Sequence, residues 1–346
     1  MKYAMIQKGD LSRWFDSLKD KGKIYGPKKK EDAFVFAPIE EFEEMALEYI
    51  PTILPPKKYF FPAKELLFDF KVQPLKTSKA IESFEQFILF GAHTCDIAGI
   101  QCMDIVFKEK PEDPNYLNRK ERMTTIGYEC MHYCDAVASC AAVGTHVPRG
   151  GYDIMLTDLG ACYAVHINSD RGESLVSGKS YIPEMTEGDR ALLKKAQDEK
   201  AGKFRTEFKS GMEVVDKAFT GGFFSKVWQD VGRRCVGCTN CTAVCPTCYC
   251  FDISDEMGLD LSEGTRYRTW SSCQMDDYAR VATGEDFRPG RDGRQRHRYY
   301  RKFQYPVQKF NKYFCTGCGR CTRTCMAKIS LIETVNALID DEGSPR

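Results

Sequence analysis

The chain has 346 residues, a formal net charge of +1 and 42% hydrophobic residues. That is enough for two or three domains with buried cores, and too evenly charged for a polyanion binder or an acidic tail. Seventeen cysteines in a chain this long exclude a disulfide-stapled miniprotein. The N-terminus has no apolar stretch of the kind a signal peptide needs, and no apolar run approaches the roughly 18 residues that cross a bilayer, so a cytoplasmic location is expected.

Residues 1–185 read as an α+β domain. Residues 3–6 form a short strand candidate. Asp10 stands where it would cap a helix through Lys19, with Leu11, Trp14, Phe15 and Leu18 on one face. Residues 32–36 are a second strand candidate, and Pro51, Pro55, Pro56 and Pro62 mark an irregular passage. The apolar run 87–91 has the character of a buried strand, and the turn at Ala92-His93-Thr94 opens a helix containing Ile97, Ile100, Met103 and Val106. Cys95 falls at the start of that helix, where the helix dipole favours a thiolate. Residues 123–128 form another strand candidate, and 152–157 and 162–167 read as a hairpin around Asp158-Leu159-Gly160. Residues 186–222 are charged and helical in pattern, a connector. Residues 223–346 are expected to form a mainly α-helical, ferredoxin-like domain, with a short helix at 223–231, a last helix from 329 to about 339, and a loose polar tail.

The chemistry concentrates in that last domain. Cys235-x2-Cys238-x2-Cys241-x3-Cys245-Pro246 is the bacterial ferredoxin spacing for 4Fe–4S clusters, and Cys315-x2-Cys318-x2-Cys321-x3-Cys325 repeats it. A tight loop with cysteines two residues apart wraps one corner of a cube, and the fourth cysteine, at a helix start, points toward the neighbouring cube. In two-cluster ferredoxins the fourth cysteine of each run crosses over. Applied here, Cys235, Cys238, Cys241 and Cys325 hold one cluster, and Cys315, Cys318, Cys321 and Cys245 hold the other. A single C-x2-C pair fits zinc as well, but eight cysteines in two such runs favour the cubes. The runs start 80 residues apart, which suits a helical ferredoxin module carrying an insertion.

Cys95, Cys130, Cys134 and Cys140 form a looser set with two readings: a third 4Fe–4S cluster, or thiols packed as small hydrophobes. Cys102 and Cys162 lie within periodic segments and read as core. Cys248, Cys250 and Cys273 are extra to the eight; each is a spare thiol, a substitute ligand, a tuning contact or part of a further metal site. His93 and His132 lie near the looser set as potential donors to it.

Residues 251–287 carry nine acidic and three basic residues, whereas 288–328 carry twelve basic residues and one acidic, Asp292. Beside cubes with four thiolates each, such Arg and Lys stabilise net negative charge and raise the potential. The same surface suits an acidic redox partner; a nucleic-acid reading of the basic stretch is the weaker one. The chain has no G-x-G-x-x-G, P-loop or C-x-x-C-H signature. Wires without a reagent pocket describe an electron conductor, and a reductase that binds flavin or substrate in its N-terminal domain is the alternative.

The chain resembles the iron–sulfur beta subunits of cytosolic sulfhydrogenases, which are NiFe hydrogenases, and is similar to the A subunit of anaerobic sulfite reductase. The likeness rests on Pro55-Pro56-Lys57-Lys58-Tyr59-Phe60-Phe61-Pro62, Phe90-Gly91-Ala92-His93-Thr94-Cys95-Asp96, residues 153–160 and 235–251, Phe287-Arg288-Pro289 and the second cysteine run. It implies electron transfer between a flavoprotein subunit binding FAD and NAD(P)H, or ferredoxin, and a catalytic subunit of hydrogenase, sulfite reductase or heterodisulfide-reductase type. The chain departs from the family pattern in three places. Ala92-His93-Thr94-Cys95 stands for Gly-Arg-Pro-Cys, Ala138-Ser139-Cys140 stands for Cys-x-Cys, with Cys134 as a substitute ligand, and Met326 stands where proline follows the last cysteine.

Overall fold

The computed structural model describes residues 2–79, 85–204 and 208–342. Residues 205–207 of the expected connector and the expected loose tail at 343–346 lie outside the described residues. The strands, in chain order, are β1 (Lys2–Gln7), β2 (Lys23–Lys30), β3 (Ala33–Pro38), β4 (Lys64–Lys71), β5 (Lys76–Lys79), β6 (Phe87–His93), β7 (Met123–Tyr128), β8 (Ile154–Asp158), β9 (Cys162–Ile167), β10 (Phe251–Met257) and β11 (Glu263–Trp270). The helices are α1 (Leu11–Leu18), α2 (Thr94–Phe107), α3 (Pro114–Arg122), α4 (Asp170–Val176), α5 (Glu187–Lys203), α6 (Met212–Gly221), α7 (Lys226–Arg234), α8 (Asn240–Ala243), α9 (Arg291–Phe303), α10 (Tyr305–Phe310), α11 (Arg320–Arg323) and α12 (Leu331–Glu342).

The apolar runs of the N-terminal half build an α/β region around a seven-stranded sheet, ordered β1-β9-β8-β7-β6-β2-β3. Its middle is parallel (β2 with β6, β6 with β7, β7 with β8) and its flanks are antiparallel. A parallel strand covered on both faces needs apolar residues at every position, and β6 is buried along its whole length. Ile88 and Phe90 face a core with Trp14, Phe15, Ile126, Leu156 and Val165. Leu89 faces the opposite core with Phe61, Ile97, Ile100, Met103 and Met155. Helix α1 covers the first face and is tied to α4 by Trp14 Nε1 donating to the Leu175 carbonyl at 3.0 Å.

The expected hairpin at 152–167 is present as β8–β9, and Leu11, Trp14, Phe15 and Leu18 are the buried face of α1. Asp10 does not cap that helix: a 3₁₀ turn over Lys8–Asp10 leads directly into it, so Asp10 is already helical and its side chain receives no capping hydrogen bond.

Residues 223–346 are helical only in part. Between the two cysteine runs lies the hairpin β10–β11, and β11 pairs with β4 of the N-terminal half in a second sheet, β10-β11-β4-β5. The seam is buried and ionic: Arg268 Nε donates to Glu65 Oε2 at 3.0 Å, and Arg119 and Asp113 join the same network. Helices α6, α7, α9 and α12 close around Phe219, Trp228, Tyr299, Tyr300, Phe303, Val335 and Leu338. Among the described residues no helix is long and apolar enough to cross a membrane.

Candidate metal centres

The two cysteine runs fold alike. Gly237 and Gly317 have φ of 71° and 62°, and Thr239 and Gly319 have φ of 64° and 72°. Each run then enters a one-turn helix, α8 or α11. Alternation between right- and left-handed backbone turns successive N–H groups to one side and makes a concavity for an anion. The sulfur atoms receive those donors: Gly237 N to Cys235 Sγ at 3.4 Å, Gly317 N to Cys315 Sγ at 3.4 Å, and Ile329 N to Cys325 Sγ at 3.2 Å.

The structure brings Cys235, Cys238, Cys241 and Cys325 together around one small space. It brings Cys315, Cys318, Cys321 and Cys245 around a second. Cys325 thus lines the space ringed by the first run, and Cys245 the space ringed by the second. Cys321 and Arg298 line both spaces, so the two adjoin. All seventeen cysteines are free of disulfides. Among the described residues no three cysteine, histidine or carboxylate side chains close on a single-ion position; the thiols ring wider volumes instead.

The donor set fits an anionic cluster on a further observation. Arg298, Lys302 and Lys57 are buried beside these thiols, and among the described residues no carboxylate pairs with them. A buried cation is costly unless an anion meets it, and the groups that hold Arg298 and Lys302 in their charged forms are cysteines: Cys241 and Cys321 for the first, Cys245 and Cys248 for the second. Burial pushes the Cys241 thiol up to about 12, so without a cluster that thiol is a poor anion for Arg298.

Cys248 stands close enough to Cys245 to hydrogen-bond it, and this contact, with Lys302 and Lys57 nearby, holds Cys245 well below the ordinary thiol range. Lys57 Nζ donates to the Cys248 carbonyl at 3.0 Å and lies 4.2 Å from the Trp270 ring centre. Cys250 lies 4.0 Å from the Tyr278 hydroxyl, and buried Cys273 accepts from Gln274 Nε2 at 3.3 Å.

The looser set also gathers. Cys95 starts α2, Cys130 follows the end of β7, and Cys134 and Cys140 lie in the loop beyond. This is the carboxyl end of the parallel strands, where open α/β sheets place their ligands. Cys134 hydrogen-bonds Cys130 and holds it well below the usual thiol range; Thr94 Oγ1 adds a contact to Cys130 Sγ at 3.7 Å. Cys95 departs from expectation: burial and the adjacent Asp96 push its thiol up, outweighing the helix end. Burial likewise pushes Cys140 up to about 12. Cys130 and Cys134, with His93, Tyr49 and Tyr128, line an open cavity of about 830 Å³. His93 is buried and stacks on Tyr49 at 3.8 Å, whereas His132 is exposed and turned to the Tyr133 carbonyl. Cys102 and Cys162 sit buried against Tyr313 O and Met5 Sδ, as core residues.

Helix α2 joins this set to the second cysteine run. Asp96 holds Arg320 in a buried two-pronged pair at 2.6 and 2.9 Å, and Arg320 Nε also donates to the Thr52 carbonyl at 2.7 Å. At Gly99 an added Cβ would stand 2.6 Å from Pro246 Cβ. At Gly317 it would stand 2.4 Å from the Cys140 nitrogen, and Ser139 N donates to the Gly317 carbonyl at 2.7 Å. Behind Cys130, buried Lys200 binds Glu129 and the His146 carbonyl, each at 2.7 Å, which locks α5 onto the set. The sequence placed the Arg and Lys of 288–328 beside the cubes as a group but did not single out Gln295, Arg298 or Lys302, whose signal is helical spacing within that stretch, and it gave no sign of the Asp96–Arg320 pair.

Comparison with known proteins agrees with this geometry. Residues 234–329 match the family model described as a 4Fe-4S dicluster domain. The chain is 35% identical, over 340 residues, to Sulfhydrogenase 2 subunit beta of Pyrococcus furiosus, covering 97% of this chain and 98% of that one. No solved structure matches it. With paired cysteine cages at its carboxyl end and this identity along nearly its whole length, the chain belongs to the family of sulfhydrogenase beta subunits.

Proposed function

We propose that this chain is the iron–sulfur electron-transfer subunit of a cytoplasmic multi-subunit oxidoreductase, with no reaction of its own. In this reading Cys235, Cys238, Cys241 and Cys325 hold one 4Fe–4S cluster and Cys315, Cys318, Cys321 and Cys245 a second. Cys95, Cys130, Cys134 and Cys140 hold a third. Bound clusters of this type accept and release single electrons. The protein's part is to supply thiolates, backbone donors and buried cations, and to keep water out. The units are residues 1–185, a connector at 186–222 and a ferredoxin-like module at 223–346, in which short helices are joined by the inserted hairpin β10–β11. One partner is a flavoprotein subunit binding FAD and NAD(P)H, or ferredoxin. The other is a catalytic subunit of hydrogenase, sulfite reductase or heterodisulfide-reductase type.

The observation that carries the reading is continuity. The first and second cages share Cys321 and Arg298, and the second cage touches the third set through Gly317 and Cys140. Three thiol groups in contact form a path; a storage or structural site needs none. The relative's name, a numbered subunit of a sulfhydrogenase, supports a multi-subunit setting.

Purified without air, the full chain is expected to be brown, to carry roughly eight to twelve irons at four per cube, to lack flavin and to turn over nothing alone. Zinc in place of iron would refute the cages. A second reading rests on the open cavity of about 830 Å³ over Cys130 and Cys134: a reductase chain that binds flavin or substrate there. Flavin bound to the isolated chain, or turnover by it, would establish that reading instead.

A further inference from the structure

Helix α9 presents Arg291, Gln295, Arg298 and Lys302 at spacings of four, three and four residues, which is one face of an α-helix. That face runs along both cysteine cages. Arg291 Nη1 donates to the Cys235 carbonyl at 2.8 Å, and Gln295 Nε2 donates to Cys235 Sγ at 3.0 Å. Gln295 lines the first cage alone. Lys302 lines the second cage alone, and its Nζ donates at 2.7 Å to Thr247 Oγ1, itself 3.3 Å from Cys245 Sγ. Arg298 lies between them and lines both. At about 1.5 Å per residue, Gln295 and Lys302 are roughly 10 Å apart along the axis, the reach needed to serve two adjoining cages.

Arg298 is 6% exposed. Its Nε has no hydrogen-bond partner among the described residues, and its charge is permanent. The groups that face it are thiols of both runs, Cys241, Cys321 and Cys245, together with Tyr299. We propose that Arg298 is a shared tuning residue whose charge raises the reduction potentials of both C-terminal clusters, while Gln295 acts on the first alone and Lys302 on the second alone. The inference rests on the cluster assignment proposed above. The reason is electrostatic: reduction adds an electron to an already negative group, and a nearby buried cation favours the more negative state.

The test is a redox titration of the full chain, purified without air, followed by low-temperature EPR with iron analysis alongside. Arg298→Met is expected to lower both midpoints, each by about tenfold in the reduction equilibrium, ~59 mV for one electron. Arg298→Lys keeps the charge and should restore both in part. Gln295→Leu is expected to lower only the first midpoint and Lys302→Met only the second. An iron-loaded Arg298→Met chain with either midpoint unmoved would overturn the proposal. So would Gln295→Leu or Lys302→Met acting on the wrong site or equally on both, which keeps the test decisive should Arg298→Met fail to fold. A parent chain without iron would sink the cluster assignment itself, whereas loaded variants with unshifted midpoints sink this inference alone.

Discussion

The two C-terminal cages and the N-terminal thiol set solve the same problem in opposite ways. Each C-terminal cage is a local object: three of its four cysteines lie within seven residues, on a loop whose two left-handed turns aim N–H groups at sulfur. The N-terminal set draws Cys95 from the first turn of α2, Cys130 from just after β7, and Cys134 and Cys140 from the following loop. It opens on a large cavity, whereas the cages surround little free space. A local cage tolerates change elsewhere in the fold. An assembled one depends on every element that brings its parts together, and here those include the buried Asp96–Arg320 and Glu129–Lys200 pairs.

The sharpest way to break the comparison is to remove one local ligand. Cys241→Ala is expected to abolish the first cluster's EPR signal, to lower bound iron by about four and to leave the N-terminal set intact. Cys162→Ala, a core thiol, should leave every signal in place. Equal losses in the two variants would refute the ligand assignment. Next in size is Arg320→Met, which strands Asp96 as a buried, unpaired charge. It should cost about 3–5 kcal/mol of unfolding free energy, measured by anaerobic denaturant titration, and should perturb the N-terminal set and second cage while sparing the first. A stability within about 0.5 kcal/mol of the parent would show that the pair is not what docks the halves.

The equivalent turn positions allow a smaller, paired test. At Gly319 a Cβ would stand 2.8 Å from the Val137 carbonyl oxygen, at φ 72°. Gly319→Thr should therefore cost roughly 2–3 kcal/mol. Thr239 already occupies the matching position at φ 64°, and Thr239→Gly should change stability by about 1 kcal/mol or less, toward greater stability. Similar losses in both would mean that the turn itself, and not its contact with the N-terminal set, sets the demand.

The smallest expected effect is a pH dependence of stability. Burial holds His297 below its ordinary 6.5, at about 4. The unfolded chain then binds more protons than the folded one between those values, so stability is full above about pH 6.5 and falls as the pH drops toward 4. His297→Gln should flatten that part of the melting-temperature profile; an unchanged slope would place the loss in other groups.

Much of the site was legible because it is local. The cysteine spacings carried the grouping of Cys325 with the first run and Cys245 with the second, and the uninterrupted apolar run of β6 carried a buried strand. The hairpin β10–β11 was not legible. Strand β10 is exposed along its length, Asp255 breaks the alternation of Phe251, Ile253 and Met257 with polar residues that marks a half-buried strand, and the strand's register comes from pairing with β11. Cys95 was misjudged because a helix end is visible in sequence while the burial that outweighs it is not. Among the twelve basic residues of 288–328, expected as a group to stabilise the cubes, nothing in the sequence singled out Arg298.

By itself, then, the amino-acid order determined the family and the dicluster module, since the loop geometry of each cysteine run over a dozen residues follows from spacing and glycine placement. Tertiary structure alone decided that four scattered thiols meet at one end of a sheet, that this set abuts the second cage, and that one buried guanidinium faces both cages. Those facts depend on contacts between residues far apart in the chain, such as Asp96 with Arg320 and Gly317 with Cys140, and no local pattern encodes them.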